Sequence, residues 1–545
     1  MTNNMHETTT AKSGHHYPSI PEWGYALLLA AFSMIYHAVV GVQGFDMYDE
    51  GWSLTGFQQI FEAPDSVEYL FLYYLTNIVG GLWNEVFGWG GIYAFRLLAG
   101  IVLTLTAVVV WQTLKPYFNR WLIFLGIAAS YLCSYYGMMV FYHNYLTALL
   151  AVCAAFALLK ALTKDSWRWM MVSGFIIGCN VFVRLPNITL TTLILLLIPY
   201  YCHHRDLRKT LGLLGTGVGG FVIGGLAVIL LMLLLGHLDI FMTAIDNGFS
   251  ATSDTQSTHN LSSMVSTYLS VYATVFTLGF FNNTYTIYLT GTLISLWVIF
   301  SRRYEAAYVY LACVVLLLMH LLPLGSDYGI ENMGENCVHL ATPFVTGWVG
   351  MQISRLSSKR LKMMLGVTAL LCAAVFMLRG GKNIMQQCYF DEGSRLEKTY
   401  RPEVPLATTF TTARNSQELN IIYQKLTHYV KPGDELLCFQ NMPMLHFLTQ
   451  TRPYLKNPWV WSYDPSNMEL HFREAAESGR PLPVIVREKS MIPYWTEPYP
   501  DWDNPHAEDS YLHKNKKILL IQQFIEHYHY QVAWEDGLCQ ILIVP

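Results

Sequence analysis

Charge is scarce in this sequence. Only 13% of its 545 residues are Asp, Glu, Lys or Arg, about half the share found in an ordinary soluble domain, so a soluble globular protein fits poorly. The net charge is −4, and there is no long basic tract or aromatic-basic repeat, which argues against nucleic acid as a partner. The ten cysteines stand singly, several of them, such as Cys153, Cys179 and Cys372, inside apolar runs. No CxxC pair or disulfide framework is present. Internal repeats and low-complexity tracts are also missing, which disfavours transporters built from two inverted halves. The first twenty residues hold one basic side chain, Lys12, and no A-x-A cleavage site closes the apolar run behind them. That run is therefore expected to be a retained first span.

Apolar residues are abundant instead, at 53%, and between about residues 24 and 379 they gather into runs near the length needed to cross a bilayer. A helix needs about 20 residues to cross roughly 30 Å of hydrocarbon. Eleven spans are expected, at 24–43, 91–114, 121–140, 145–163, 169–186, 188–201, 211–236, 283–300, 305–324, 338–354 and 361–378. With the N-terminus inside, the inner loops are KPYFNR, KALTKDSWR, HHRDLRK, SRRYE and RLSSKRLK, and every one is basic. The outer connections carry few basic residues, as the distribution of Lys and Arg across membranes requires. Two further apolar segments, 261–280 and 69–88, are expected as helices lying at the outer surface. The second holds Asn77, Gly80, Gly81, Asn84 and Glu85 and is rich in Tyr and Trp.

Beyond residue 379 no run is long enough to span. DELLCF, LPVIVRE, QVAWEDG and LCQILIVP have the character of short buried strands, and KKILLIQQFIEHYHY that of an amphipathic helix. The expected organisation is a cytoplasmic tail (1–23), a transmembrane domain (24–379) with outer loops 44–90, 237–282 and 325–337, and an outer α/β domain (380–545). The fold class is thus an α-helical polytopic membrane protein with a soluble C-terminal α/β domain. Aromatic-rich pieces of the tail, PWVWSYDP and IPYWTEPYPDWDNP, offer faces that suit sugars or packing alike.

Two adjacent carboxylates, Asp49 and Glu50, follow the first span on the expected outer side. A carboxylate at a membrane edge is costly to desolvate and is normally kept there because something polar uses it. Adjacent residues on a helix point about 100° apart, so the two need not share a task. One alternative makes Asp49 simply the N-cap of the helix GWSLTGFQQIFE, with Asp46 as a nearby competitor.

The order of first span, YDEGW, LFLYYLTNIVGGLWNEVFG and YAFRLLAG resembles the start of the GT-C superfamily of membrane glycosyltransferases. The similarity is to the branch of protein O-mannosyltransferases and lipid A aminoarabinose transferases. Tyr73, Tyr74, Leu82, Trp83, Phe87, Gly88, Arg96 and Leu97 follow the spacing of that branch, and GFIIGCNVFVRLPN and CFQNMPMLHFLTQTRPYL are similar to later parts of it. The sequence departs from the pattern in lacking the paired prolines before the Tyr-Tyr. It also has His143 and Asn144 where several members place an acidic residue, so a second acidic ligand for a divalent metal is not evident. The superfamily admits a metal, but this sequence does not favour one.

The resemblance implies transfer of a sugar from a polyprenyl-phosphate-type lipid donor to a hydroxyl or amide of a protein, lipid or glycan, on the non-cytoplasmic face of a bacterial cytoplasmic membrane. In a single inverting displacement one base takes the acceptor's proton; Asp49 is the expected base, with Glu50 as its orienting partner or alternate. The leaving phosphate needs charge neutralisation, for which Arg96 and Arg184 are candidates, although arginines near span ends also snorkel to the interface. Tyr73, Tyr74, His143, Asn144, His259, Asp327, Glu331 and Glu335 are candidates for donor or acceptor contacts. His237 and His339 are further outer histidines, and no spacing among the histidines suggests a zinc site. NGFSATSDTQSTHN (247–260) has the polarity of a flap or an exposed loop. Two rivals remain: a transporter or flippase for a lipid-linked molecule, and a non-catalytic scaffold of the same fold.

Overall fold

The computed structural model describes residues 21–133, 137–253, 261–278, 282–325, 330–489 and 514–545. The apolar runs form helices, and six helical stretches are long and apolar enough to cross a membrane: Glu22–Val40, Pro64–Leu114, His143–Thr163, Leu185–His204, Leu207–Leu235 and Lys359–Gln386. The second of these is a succession of elements, a 3-10 segment Pro64–Tyr73, a helix Tyr74–Phe87 and the long helix Gly91–Leu114. The expected count of eleven is therefore larger than the number that length and composition support among the described residues.

Two of the expected spans differ for local reasons. Over 121–140 the helix is only Arg120–Ser130, and the chain leaves it through tighter turns in which the Leu132 and Cys133 backbone N–H groups donate to the Ala129 (3.0 Å) and Ser130 (3.1 Å) carbonyls. Over 188–201 the chain starts as a 3-10 segment, Leu185–Leu196, entered through Pro186. Thr191 and Thr192 donate to carbonyls three residues back, at 2.7 and 2.6 Å, which favours the tighter winding. The segment expected at the outer surface over 261–280 is a helix, Leu261–Leu278, whose Tyr268, Val271 and Val275 are buried.

Helices Trp167–Asn180 and Leu207–Leu235 approach most closely through glycine. A Cβ on Gly174 would come within 2.0 Å of the Gly217 carbonyl oxygen, and one on Gly224 within 2.2 Å of that of Phe175. Small residues on both faces let two backbones meet where lipid provides no hydrophobic drive for association.

Residues 413–545 carry a five-stranded sheet with order β2-β1-β3-β5-β4, formed by β1 (Glu435–Phe439), β2 (Arg452–Pro453), β3 (Val484–Glu488), β4 (Gln531–Glu535) and β5 (Cys539–Ile543). β1 is parallel to β2 and β3, while β5 is antiparallel to β3 and β4. Successive side chains of a strand face opposite sides, and here the two sides have different partners. Leu437, Phe439 and Ile485 pack with Ile518, Ile521 and Phe524 of the helix Lys514–His527. Leu436, Cys438 and Val486 belong to one core with Met47, Leu54 and Phe57 of the outer loop and Phe95 of the helix Gly91–Leu114.

The loop helix Asp49–Gln59 is thus held between the membrane bundle and the sheet. Its closest approach is at Gly51, where a Cβ would lie 2.2 Å from the Met444 nitrogen, which itself donates to the Met47 carbonyl at 3.1 Å. Only glycine lets the two backbones pass. Gly51→Ala is expected to lower stability by about 1–3 kcal/mol, the usual cost of overpacking a filled contact. Gly212→Ala, at a position with open space around it, is expected to leave Tm unchanged or slightly raised. Thermal unfolding of the two purified variants in detergent checks both.

Candidate active site

The loop after the first helix is organised by three carboxylates within five residues. Asp46 accepts from the backbone N–H groups of Tyr48 (2.7 Å) and Glu50 (2.9 Å), so Asp46 caps the loop helix and Asp49 does not. Asp49 is the first residue of the helix Asp49–Gln59, with Tyr48 at its cap position. The N-cap alternative for Asp49 is corrected accordingly, and its side chain is left for another use. Burial, together with the nearby charges of Asp49 and Glu50, pushes the Asp46 carboxyl well above the usual carboxylate range.

Glu50 points away from Asp49 into a buried ion pair. Its Oε1 accepts from Arg96 Nε at 3.1 Å and its Oε2 from an Arg96 terminal nitrogen at 2.7 Å, with the side chains only 1% and 3% exposed. The remaining Arg96 donors reach the carbonyls of Gly41 (2.8 Å), Gln43 (2.9 Å) and Gly44 (2.9 Å). Five N–H groups meet five acceptors, which exhausts a guanidinium. Arg96, expected at the donor phosphate, is instead the clamp that ties the end of the first helix and its loop to the helix Gly91–Leu114.

Asp49 is half-buried and accepts a short hydrogen bond from the Tyr389 hydroxyl. Burial raises its carboxyl above the ordinary value; the Tyr389 bond opposes that rise and the Glu50 charge adds to it. The Tyr389 hydroxyl is itself held neutral by burial and by the Asp49 charge, so it acts as a donor. Tyr389 stands in a turn just past the helix Lys359–Gln386, with Phe390 at φ 43°, a backbone conformation unusual for a bulky residue. The turn is pinned by Asp391, which accepts from the Phe45 backbone N–H (2.8 Å), the Thr411 hydroxyl (2.8 Å) and the Asn415 amide (3.0 Å) and pairs with Lys398 at 3.1 Å. Aromatic rings border the site. Tyr48 stacks on Phe390 at 4.7 Å and meets Trp459 edge-on at 6.0 Å.

One turn along the loop helix, the Trp52 ring stands edge-on to Tyr73 (5.2 Å) and to His143 (6.5 Å), and Tyr73 packs on His143 at 4.5 Å. Arg184 lies within electrostatic range of His143 and of Cys337. It is 4% exposed, and its Nε donates to Asn187 Oδ1 at 3.4 Å. The amide of Asn187 in turn donates to Thr147 (2.7 Å) and to Asn180 (3.0 Å), forming a buried polar cluster around the guanidinium. Asn144 is fully buried and donates to the Tyr142 hydroxyl at 3.2 Å. Tyr74 turns away from this line, its hydroxyl 3.2 Å from His237 Nδ1.

His259 and Asp327 lie outside the described residues, as does IPYWTEPYPDWDNP. Glu331 and Glu335 fall on the helix Ile330–Arg355, where only their backbone is described. Among the described residues no group of three or more His, Cys, Asp or Glu side chains is placed to hold a metal ion. The sequence reading missed Tyr389, the capping role of Asp46 and the Asp391–Lys398 pair. All three lie among polar residues, and nothing in local spacing singles them out.

Residues 75–233 match the family model for dolichyl-phosphate-mannose-protein mannosyltransferases. No curated protein matches the chain by sequence. Among solved structures, ArnT from Cupriavidus metallidurans bound to undecaprenyl phosphate superposes with a TM-score of 0.53 at 12% identity, covering 96% of this chain and 98% of that one. Arabinosyltransferase EmbB from Mycobacterium smegmatis gives a TM-score of 0.46 at 10% identity, covering 86% of this chain and 42% of that one. The Archaeoglobus fulgidus oligosaccharyltransferase in its apo form gives 0.44 at 12%, covering 87% of this chain and 70% of that one. At such identities the ArnT likeness speaks to the fold.

The buried pair generates a prediction. Glu50→Gln leaves the Arg96 charge without a counter-charge, which is expected to cost about 3–5 kcal/mol. Adding Arg96→Met is expected to recover little of that loss, because it removes the charge but also takes the guanidinium donors from the Gly41, Gln43 and Gly44 carbonyls. Thermal and denaturant unfolding of the single and double variants measures this, and a single variant as stable as the parent would refute the clamp.

Proposed function

We propose that the chain is a membrane glycosyltransferase of the GT-C superfamily that moves a sugar from a polyprenyl-phosphate-type lipid to an acceptor, with Asp49 as the base of an inverting displacement. The observation that carries this reading is the division of labour between the two adjacent carboxylates. Glu50 is consumed by Arg96, while Asp49 keeps one face beside Tyr389 and remains half-buried. A base must be ionised in the resting state and take the acceptor's proton as attack proceeds. Burial raises the basicity of Asp49 above that of a free carboxylate, and Tyr389 keeps it oriented.

In this reading Glu50 is a positioning residue, and Arg184 is the cation for the departing phosphate, delivered through the buried cluster of Thr147, Asn180 and Asn187. A phosphate leaves as an anion, so a fixed positive charge serves it better than a proton donor. Tyr73 and His143, which pack on each other beside Trp52, are suited to line the sugar. The undecaprenyl phosphate bound by ArnT supports a polyprenyl carrier here. The alternation of basic inner and poorly basic outer loops supports an N-terminus on the inner side and residues 380–545 on the outer side as an α/β domain; the membrane proposed is a bacterial cytoplasmic one, with that outer side periplasmic. The acceptor is a protein, lipid or glycan bearing a hydroxyl or amide.

Incubation of the purified protein in lipid with a panel of polyprenyl-phosphate sugars is the test. Transfer or donor hydrolysis is expected with at least one donor, and Asp49→Asn is expected to lower the rate about 10²–10⁴-fold, the usual contribution of a general base. Full activity in a folded Asp49→Asn protein would defeat the assignment. The pH profile follows in sign. The base works ionised, so the rate rises with pH through an inflection above the ordinary Asp value of 3.8. Tyr389→Phe removes the bond that favours the ionised form, so the inflection should move to higher pH; an unmoved or lowered inflection would contradict the arrangement.

A further inference from the structure

The end of the helical bundle far from Asp49 carries positive charge that the chain does not neutralise. In the loop between the helices Asn283–Phe300 and Ala306–Leu321, the Tyr304 hydroxyl accepts from Gln352 Nε2 (3.3 Å) and its ring meets that of Trp348 at 4.8 Å. Both partners stand on the last turns of the helix Ile330–Arg355, so two loops are brought to one place. One holds Arg302 and Arg303, the other Arg355, Lys359, Arg360 and Lys362, and all six side chains are exposed. The single acid in the two loops is Glu305, and among the described residues none of the six cations makes an ion pair. Basic residues at this end follow from topology, yet on other loops they are answered within the chain. Glu22 pairs with Lys115 (2.7 Å) and Arg120 (2.9 Å), and Asp165 pairs with Lys209 (2.7 Å).

The surface beside these cations is apolar and unpacked. Of the 28 residues of the helix Lys359–Gln386 only Gly380 is buried, and Met363, Met364, Leu370 and Leu371 are exposed in its first half. The helix meets the bundle toward its other end, where Asn283 Nδ2 donates to the Phe376 carbonyl (3.1 Å) and Arg379 donates to Asn283 (2.6 Å) and Thr286 (3.1 Å). On the helix Asn283–Phe300 the last turns, next to Arg302, present Trp297 and Phe300 to the outside. In a membrane the acyl chains of lipid cover surfaces of this kind, so the head group decides which lipid suits the place. A zwitterionic head brings its own positive charge and leaves the six cations unanswered. A head whose only charge is a phosphate answers them. Lys359, Arg360 and Lys362 also fall in the first turn of their helix, which holds no acid, the reverse of the charge that a helix start favours.

We propose that this end of the chain is a docking surface for an anionic phospholipid, its phosphate among the six cations and its acyl chains along the helices Lys359–Gln386 and Asn283–Phe300. The surface is independent of the role given to Asp49, so the Asp49→Asn protein should bind the same lipid equally well.

The test uses the full chain in a non-ionic detergent, titrated with dioleoyl phosphatidylglycerol or dioleoyl phosphatidylcholine, with bound lipid counted by native mass spectrometry. Phosphatidylglycerol is expected to bind about tenfold more tightly or better, since each cation near an anionic head contributes severalfold. Arg302→Gln with Arg303→Gln, and separately Lys359→Gln with Lys362→Gln, should each weaken its binding about threefold or more. Arg205→Gln with Arg208→Gln removes two exposed cations from another basic loop and should leave the binding unchanged. Equal affinity for the two lipids, undiminished binding by both folded site variants, or an equal loss in the Arg205 and Arg208 variant would each overturn the proposal. Displacement of the lipid by millimolar glycerol 3-phosphate would assign the cations to a soluble phosphate and overturn it as well. Should a variant fail to fold, the comparison of the two lipids on the unaltered chain still decides.

Discussion

The Glu50–Arg96 pair is the contact on which the outer side of this protein turns. Removing a carboxylate and a guanidinium from water costs several kcal/mol each, and the attraction between them offsets that only when geometry and remaining hydrogen bonds are both complete. Here they are complete. Two contacts go to the carboxylate and three to the carbonyls of Gly41, Gln43 and Gly44. The guanidinium therefore satisfies carbonyls left over where the first helix ends, sharing that of Gln43 with Arg395. A loop that has to leave the bilayer and turn back at once is held by one side chain from the neighbouring helix.

That clamp also decides which of two adjacent carboxylates is usable. The helix Asp49–Gln59 turns successive side chains about 100° apart, so fixing Glu50 toward Arg96 sends Asp49 to the other side, where Tyr389 and the rings of Tyr48, Phe390 and Trp459 stand. Asp46 strengthens the arrangement by accepting the Tyr48 and Glu50 backbone N–H groups. Three acids in five residues are kept apart in role by one ion pair, one cap and one tyrosine.

Much of this was legible in sequence, and what was missed has a physical reason. The long helices follow from apolar runs, and Asp49, Glu50, Arg96 and Arg184 could be picked out because charge is rare near a membrane. The role of Arg96 was misjudged because loose backbone carbonyls carry no sequence signature, so nothing announced that its donors would be used up. Tyr389 was invisible as a partner of Asp49 because 340 residues separate them. The early end of the helix Arg120–Ser130 was hidden too, since the residues that follow are as acceptable in a helix as those before it. Hydropathy reports what lipid tolerates; it does not report where the backbone tightens into i→i+3 bonds and the winding stops.

The sheet adds a constraint that composition alone conceals. A strand with one face against helices and the other against the outer loop shows apolar residues at nearly every position, as DELLCF does, and so looks like part of an independent core. Its two faces have different owners: Leu437 and Phe439 pack among residues of the C-terminal part, whereas Leu436 and Cys438 share a core with Met47, Leu54 and Phe57. The helix that carries Asp49 is consequently buried from both sides, with Gly51 as the point where no side chain fits. Packing of that kind holds the helix in one orientation, with the Asp49 carboxylate on the side of Tyr389. The same packing ties the described C-terminal strands to the loop that carries Asp46, Asp49 and Glu50.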